Sequence, residues 1–393
     1  MSNETYQGYD FVKFDRLATT TLAKHIRELE EAHMRQYAFP AQLQAGGRVL
    51  QKQGGRGFDW PVQFTIHDMR TSTGANAREW KSKNLFTRAW LPYRGYEATD
   101  TISKAEVLAN SDSETAIVNL MGGFLDRIKQ SLEIRLARQY FNDGEANTDW
   151  WHGLETLFAN NGTCNVSSSG AQRAKNTADL VAYPASTYAG LSTELSAKGG
   201  NQIDGIWPAG EADPARDYWS PVIMFGDSTN ASVTNPADSS THTWQAQCLQ
   251  ILGYAIIHSQ RFGGLDTRPS TIVMDRSMFA ELKNQLRGKE TIYRTGGSED
   301  ETSLIKLGFK DTVVVDGVEC TVENSLPVNT AYGFSWRNCE LRVQTPELFD
   351  AEMGVWYDPD VSAHKCVVST LSNLRFSSPR NFFKIVRNVA QLT

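Results

Sequence analysis

The chain has 393 residues, of which 40% are hydrophobic, and a formal net charge of −6 at pH 7. This length predicts two or three lobes with a sizeable buried core, and no run of about 18 apolar residues occurs that would predict a transmembrane helix. The first residues, Met1 to Tyr6, lack the layout of a signal peptide, so we expect a cytosolic protein. Five cysteines without a C-x-x-C pair argue against a disulfide framework or a zinc site.

The first predicted element is an amphipathic helix from Arg16 to Tyr37. Its apolar positions recur at helical spacing, namely Leu22, Ile26 and Leu29. We expect this helix to end before Pro40, and Gly46-Gly47 to break the chain again.

A long β-hairpin is predicted over residues 48–98. Its first strand carries an alternating apolar face: Trp60, Val62, Phe64 and Ile66. Pro61 cannot donate to a ladder, which places this strand at a sheet edge, and the return strand covers roughly Leu85 to Tyr96 around a polar tip at residues 68–83. From Phe58 to Met69 the strand would extend about 40 Å. Because an isolated ribbon of that length is marginally stable, it must be covered by the protein's own body or by a neighbouring molecule.

The hairpin is also basic. Residues 46–96 hold nine Lys or Arg and three Asp or Glu, a net +6, which leaves −12 on the remainder of the chain. Such a ribbon is complementary to a second copy of the acidic body. A solvated hairpin face and a nucleic-acid-binding arm are the alternatives. The candidate inter-subunit contacts are therefore the basic residues of the hairpin and the acidic residues of a later loop: Arg70, Arg78, Lys81, Lys83, Arg88, Glu299, Asp300 and Glu301.

The clearest predicted element is a long helix over about residues 111–143. Ser111 and Glu114 form an S-x-x-E capping box, and Asn142-Asp143-Gly144 supplies a stop. Between them runs an apolar stripe at helical spacing: Ile117, Met121, Phe124, Leu125, Ile128, Leu132 and Leu136. The helix would be about 48 Å long, against about 55 Å for the diameter of a globule of this size. It would therefore span the molecule as a spine.

The rest of the chain divides into a polar part and an α/β part. Residues 159–240 are rich in Gly, Asn, Ser, Thr and Ala and predict short strands with long loops. A helix is expected from about Thr241 to Gln260, then the strand Thr271–Met274 and, after a cap at Asp275, another helix. Asp316-Gly317 between two valine-rich runs predicts a hairpin with a type I′ turn. Further strands are expected near residues 332–336, 340–343, 364–376 and 382–389.

No catalytic signature is found in the sequence. It contains no G-x-S-x-G, H-E-x-x-H or Walker A motif. The glycine-rich run at residues 54–57 leads into a strand, which favours a hinge over a phosphate site at a helix N-terminus. The seven histidines never pair at metal-ligand spacing. We therefore predict no catalytic residues, no metal and no cofactor, in a protein that is not an enzyme.

The order of these parts resembles the major capsid proteins of tailed bacteriophages, which have the Hong Kong ninety-seven type fold. The resemblance implies an α+β fold divided into an N-terminal arm, an extended hairpin loop, a peripheral domain with the spine helix, an axial domain with a polar insertion and a returning helix, and C-terminal peripheral strands. The corresponding ranges are 1–47, 48–100, 101–150, 151–345 and 346–393. The segment Trp151-His152-Gly153-Leu154-Glu155 is similar to the turn that leaves the spine in that family.

The resemblance further implies self-assembly into pentamers and hexamers, which form an icosahedral shell around the double-stranded DNA of the phage. The basic loop would lie across the neighbouring subunit, and the inner face would contact DNA without reading its sequence. A separate scaffolding protein and a portal are implied as partners, with a decoration protein as a further candidate and no membrane. The expected location is the capsid of the virion, after assembly in the cytoplasm of the host bacterium.

Two other functions are compatible with the sequence. An encapsulin-like compartment shell shares the fold but encloses a cargo enzyme, and the contents of the shell would distinguish it. A polysaccharide-active enzyme is suggested by the ten tryptophans and the polar loops. A monomer with a defined pocket would favour that reading.

Overall fold

The structure is a computed structural model that describes residues 36–63, 84–109, 127–158, 164–166, 181–193, 219–225, 244–260, 268–288, 311–350 and 355–387, except positions 129, 133 and 185, together with residues 82, 304, 307 and 309. The helices are α1 (Ala38–Ala45), α2 (Lys104–Ala109), α3 (residues 127–139), α4 (Glu155–Phe158), α5 (Trp244–Ser259) and α6 (Arg276–Gly288). The strands are β1 (Val49–Leu50), β2 (Gly57–Gln63), β3 (Phe86–Pro92), β4 (Arg94–Ser103), β5 (Cys164–Val166), β6 (Val181–Pro184), β7 (Thr187–Tyr188), β8 (Leu191–Ser192), β9 (Val222–Phe225), β10 (Thr271–Met274), β11 (Thr312–Val315), β12 (Val318–Val322), β13 (Thr330–Phe334), β14 (Cys339–Val343), β15 (Val355–Asp358), β16 (Ala363–Phe376) and β17 (Phe383–Val386). The α+β class is thus confirmed. Within the described ranges, no helix is both long and apolar enough to cross a bilayer.

A five-stranded sheet is built around the long strand β16. One side of β16 pairs antiparallel with the whole of β4, and its other side pairs antiparallel with β14 and β15, while β1 adds to β14 in parallel. The α3 helix shares a core with this sheet, which includes Ile102 and Val368. Its buried side chains recur every four residues, as one face of a helix requires: Ile128, Leu132 and Leu136. The described part of the predicted spine helix is therefore confirmed.

The second large sheet has eight strands in the order β11-β12-β10-β13-β17-β9-β6-β5 and is mixed parallel and antiparallel. Side chains of β10 alternate between its two faces. Ile272 and Met274 pack in one core with Leu252 of α5 and Leu282 of α6, whereas Val273 packs in the other core with α1 and α3. This sheet is thus covered by helices on both faces.

The predicted hairpin is present as a two-stranded ribbon. β2 and β3 pair antiparallel from Gly57 opposite Pro92 to Gln63 opposite Phe86. Trp60 and Val62 are buried on one face, as the alternation predicts. The return strand ends at Pro92 and not at Tyr96, because proline has no N–H to continue the ladder, and the chain passes from there into β4 of the five-stranded sheet.

Several downstream predictions are confirmed. The predicted helix near residues 241–260 is α5, and its predicted apolar residues are all buried: Trp244, Cys248, Leu252 and Ile256. The α6 helix begins directly after Asp275. Asp316 and Gly317 have φ angles of 49° and 77° between β11 and β12, which is the backbone of a type I′ turn.

The helix predicted to run to Tyr37 does end before Pro40, because Gln36 is helical and Tyr37 has an extended backbone, with φ −115° and ψ 140°. The separate short helix α1, which begins at Ala38 and contains Pro40, was not predicted. Pro40 lies in the first turn of α1, where a backbone N–H has no partner within the helix, so its missing N–H costs no hydrogen bond.

The axial domain was predicted to end at residue 345, but the strands before and after this position do not separate into the two sheets. β14 lies before that boundary but belongs to the five-stranded sheet with β16. β17 lies after it but pairs with β13 and β9 of the eight-stranded sheet. The chain therefore crosses between the sheets twice at its C-terminal end, and the domain boundaries stay a prediction.

Other predictions lie outside the described residues. They are the helix from Arg16 as far as residue 35, the hairpin strand beyond Gln63, the Ser111–Glu114 capping box, most of the polar segment 159–240 and the acidic loop at 296–301.

Candidate functional site

The inner face of the ribbon is fixed to the five-stranded sheet. The guanidinium groups of Arg342 and Arg375 each lie 5.0 Å from an aromatic ring, those of Phe58 and Trp60 respectively. Arg375 is held in turn by Glu340, with 2.6 Å between Nη1 and Oε2. Contacts between a cation and an aromatic face are favourable. They hold the base of the ribbon in one position against the five-stranded sheet.

The outer face of the ribbon carries two exposed aromatic side chains and an ion pair. Phe86 and Trp90 are 54% and 53% exposed, although both are large aromatic residues. Between them, Arg88 forms an ion pair of 3.4 Å with Asp59, and both side chains are largely exposed. An exposed ion pair contributes little to stability. Exposed aromatic residues of this size mark a surface that another molecule can cover.

Arg88 is the one predicted contact residue that falls within the described ranges, and it lies on this outer face. The other seven, from Arg70 to Lys83 and from Glu299 to Glu301, lie outside them. The sequence analysis missed Phe86 and Trp90. Their spacing by two from Arg88, opposite the buried Ala89 and Leu91, was the available signal.

The segment that follows the spine helix is held by Arg94, the first residue of β4. Its Nη1 donates to the carbonyl oxygens of Gly144 and Asn147 at 2.6 and 3.0 Å, and to that of Trp150. Arg94 thus binds three main-chain carbonyl groups of the segment between the spine helix and residue 151.

The predicted turn at residues 151–155 passes through a tight opening. A Cβ on Gly153 would lie 2.5 Å from the carbonyl oxygen of Gln139 and 2.7 Å from the amide nitrogen of Asn142. Only glycine allows so close an approach of two backbone segments. This position thus fixes the turn against the last residues of α3.

His152 connects the turn to the five-stranded sheet. Its backbone N–H donates to Oδ1 of Asn373 at 2.9 Å, and Nδ2 of Asn373 donates to His152 Nδ1 at 2.8 Å. The ring proton is therefore on Nε2, which lies 3.6 Å from Glu145. Burial lowers the pKa of His152, and the hydrogen bond from His152 lowers the pKa of Glu145.

Glu155 connects the same turn to the eight-stranded sheet. Its Oε2 accepts a hydrogen bond from the hydroxyl of Tyr332 on β13, and its Oε1 lies 2.5 Å from Nζ of Lys384 on β17. Burial, and then the charge of Glu155, raise the pKa of Tyr332. The turn thus joins the spine helix to both sheets within four residues.

A buried carboxyl holds the start of α1. Glu323, 4% exposed, accepts the backbone N–H of Ala38 at 3.1 Å. Burial raises the pKa of Glu323 to about 7, against the opposing effect of hydrogen bonds from Ala38, Ser325 and Asn324. It borders a cavity of about 750 Å³ that Arg138 and Arg276 also line.

These polar groups are engaged in structural contacts. In the part of the chain that the structure describes, no three His, Cys, Asp or Glu residues are placed to hold a metal ion. Arg94, Lys384 and Glu323 were not singled out in the sequence, and Glu155 was named only as part of the predicted turn, because each partner lies far away along the chain and no local spacing reveals the pair.

The fold is similar to that of known capsid proteins. The structure matches the cyanophage A-1(L) capsid asymmetric unit with a TM-score of 0.50 and 14% sequence identity, over 89% of this chain and 93% of that chain. The chain has the fold of a tailed-phage capsid protein. Two further matches are the capsid of Ralstonia phage GP4, with a TM-score of 0.45, 9% identity and coverage of 86% and 87%, and the holo-SrpI encapsulin complex from Synechococcus elongatus PCC 7942, with a TM-score of 0.43, 9% identity and coverage of 86% and 85%.

No protein-family model matches the sequence, and no curated protein matches it either. At this level of identity the comparison establishes the fold, and the function is argued from the surfaces described above.

Proposed function

We propose that this chain is the major capsid protein of a tailed bacteriophage, which self-assembles into the pentamers and hexamers of an icosahedral shell around double-stranded DNA. The observation that carries the proposal is the capsid fold shared with the cyanophage A-1(L) protein over nearly the whole of both chains. The protein acts by binding copies of itself and catalyses no reaction.

The ribbon supplies a mechanism for this self-association. Phe86 and Trp90 are exposed on the outer face of a ribbon that the sequence makes basic, while the remainder of the chain is acidic. Laying this face across a neighbouring subunit removes two aromatic side chains from water, which favours association. The opposite charges of ribbon and body give the contact its orientation.

The junction after the spine helix supplies a means of transmitting shape change. His152 and Glu155 tie the end of α3 to the five-stranded and the eight-stranded sheet, respectively. A displacement of α3 would therefore move parts of both sheets at the same time. In the assembled shell this couples contacts at the ribbon to contacts made by the eight-stranded sheet and its helices.

The expected partners follow from this role. They are other copies of the chain, a separate scaffolding protein, a portal and a decoration protein, with non-specific contact to packaged DNA. The net charge of −6 keeps that contact loose, because an acidic protein does not hold the DNA backbone tightly. The protein would be assembled in the host cytoplasm and reside in the virion.

Electron microscopy of the expressed protein, with and without its scaffold, tests the proposal. We expect capsomers or closed shells, and a strictly monomeric protein at high concentration would contradict it. Shells isolated from infected cells should contain double-stranded DNA. A protein cargo without DNA would instead establish the encapsulin-like alternative.

Reversing the charge of two lysines of the ribbon tests whether its basic residues contact the neighbouring subunit. Lys81→Glu with Lys83→Glu should lower the yield of capsomers or shells while the thermal melt of the subunit is unchanged. Lys81→Arg with Lys83→Arg keeps the charge and serves as the control. Equal assembly yields for the two double variants at every salt concentration would exclude the basic ribbon as a contact.

A further inference from the structure

Among the residues that the structure describes, β4 has a strand partner on one side only. β4 pairs with β16 without a bulge from Arg94 opposite Ser372 to Ser103 opposite Ala363, and among the described residues no strand lies on its other side. Proteins usually protect such an edge with charged side chains, proline, a bulge or a covering element. β4 is ten residues long, which is at the long end for a strand, and it has no lysine, proline or bulge; its charged residues are Arg94, Glu97 and Asp100. This edge is therefore suited to accept another strand.

A groove beside the edge provides room for the side chains of an added strand. It lies between β4 and α3, has a volume of about 520 Å³, and is lined by the buried Ile128 and Leu132 of the spine. Arg127 on its rim pairs with Asp100 of β4 at 3.3 Å. Arg135 lines the same groove and has no ion-pair partner within the described ranges. The groove thus offers a cation to an incoming carboxylate.

We infer that β4 of one subunit pairs antiparallel with β4 of a second copy about a two-fold axis, so that two five-stranded sheets become one. The inference rests on the proposed function, because a closed icosahedral shell brings identical surfaces together at its two-fold axes. Main-chain hydrogen bonds along the two edges supply the contact, as in other cases of strand addition.

The charges of β4 exclude some registers of this pairing and are compatible with one centred on Thr99. With Thr99 opposite its own copy, Glu97 lies opposite Thr101 and Asp100 lies opposite Ala98, so no like charges are opposed. Pairing centred on Glu97 or on Asp100 would place two identical carboxylates opposite each other. In the Thr99-centred register, Asp100 of the second copy comes beside Ala98, which lines the same groove as Arg135.

Cysteine cross-linking tests the register directly. Opposed residues of antiparallel strands have Cα atoms about 4.5–5.5 Å apart, within the range of a disulfide. The Thr99→Cys variant, assembled into shells and oxidised, should therefore give covalent dimers on a non-reducing gel. The matched control is Thr101→Cys, whose two copies would be about 13 Å apart and should give no more dimer than the wild type. Mixed shells of Glu97→Cys and Thr101→Cys subunits should again give disulfide-linked dimers, because Glu97 lies opposite Thr101 in this register.

Lysine substitutions at the same two exposed positions test the contact without oxidation. Thr99→Lys opposes two lysines across the axis and should reduce the yield of shells, with partial recovery at high salt. Thr101→Lys instead places its charge opposite Glu97 and should assemble as well as the wild type. Both variants should keep the melting temperature of the unassembled subunit, because both side chains point to solvent.

The outcomes separate this inference from the proposed function. Shells of the Thr99→Cys variant that give no dimers above the Thr101→Cys level would overturn the pairing and leave the capsid function standing. A disulfide from that variant to a different protein would also overturn it. Failure of the wild-type protein to form capsomers or shells would overturn the proposed function, and the pairing would fall with it.

Discussion

Lys384 of β17 and Glu155 of the turn after the spine helix form an ion pair, with 2.5 Å between Nζ and Oε1. The Lys384 side chain is 7% exposed, so water does little to stabilise its charge. Tyr332 donates to the second oxygen of the same carboxylate. Glu155 is therefore the counter-charge of a lysine side chain that is buried away from water.

Removal of the carboxylate alone should be costly. Glu155→Ala leaves Lys384 buried without a counter-charge, and we expect the free energy of unfolding to fall by about 3–5 kcal/mol. The double variant Glu155→Leu with Lys384→Met strands no charge and should lose less. Urea unfolding of the unassembled subunit measures both. A double variant as unstable as the single one would show that the ion pair is not what the single substitution removes.

Glu323 should make the stability of the subunit depend on pH. Its pKa is raised from 4.5 to about 7, so the native state binds a proton that the unfolded state has released. The stability gained from this proton is complete below about pH 4.5 and is lost as the pH rises through about 7. Between pH 4 and pH 8 the loss amounts to about 3 kcal/mol.

The variant Glu323→Gln keeps an acceptor for the Ala38 N–H but cannot ionise. The difference in free energy of unfolding between Glu323→Gln and the wild type should therefore change by about 3 kcal/mol in favour of the variant from pH 4 to pH 8. Denaturant titration at each pH measures this difference. Glu97→Gln, at an exposed position of β4, controls for the loss of a carboxyl. Parallel pH profiles for the wild type and Glu323→Gln would contradict the assignment.

Local patterns predicted much of the fold. The stripe through Ile128, Leu132 and Leu136 located the spine, and Asp316-Gly317 located a turn, because each signal is contained within a few residues of the chain. Hydrophobic periodicity and turn chemistry act at that range. The short helix α1 was missed because Pro40 is compatible with the first turn of a helix as well as with its end.

The arrangement of the sheets could not be predicted in the same way. β13 and β17 lie in the eight-stranded sheet, whereas β14, which directly follows β13 along the chain, lies in the other sheet. Nothing in the short sequences of β14 and β17 selects a partner strand. The buried pairs at Glu155 and Glu323 depend on this arrangement and were missed for the same reason.

Gly153 should tolerate no side chain. In Gly153→Ala the new methyl group would overlap backbone atoms of Gln139 and Asn142, which cannot move without displacing the end of the spine helix. We expect a loss of about 1–3 kcal/mol in the free energy of unfolding. Gly54→Ala is the matched control, because a Cβ there meets no atom within 4 Å. Equal thermal melts for the two variants would mean that the turn is not closely packed against α3.

The two tryptophans of the ribbon should separate folding from assembly. Trp60 is 3% exposed on the inner face, and Trp60→Ala should cost about 3–5 kcal/mol of subunit stability. Trp90 is 53% exposed on the outer face, so Trp90→Ala should change stability little and reduce the yield of shells. Thermal melting of the subunit and sedimentation of the assembled fraction measure the two effects. If Trp90→Ala assembled like the wild type while Trp60→Ala lost stability as expected, the ribbon would be seated on its own subunit through Trp60, and its outer face would not be a contact between subunits.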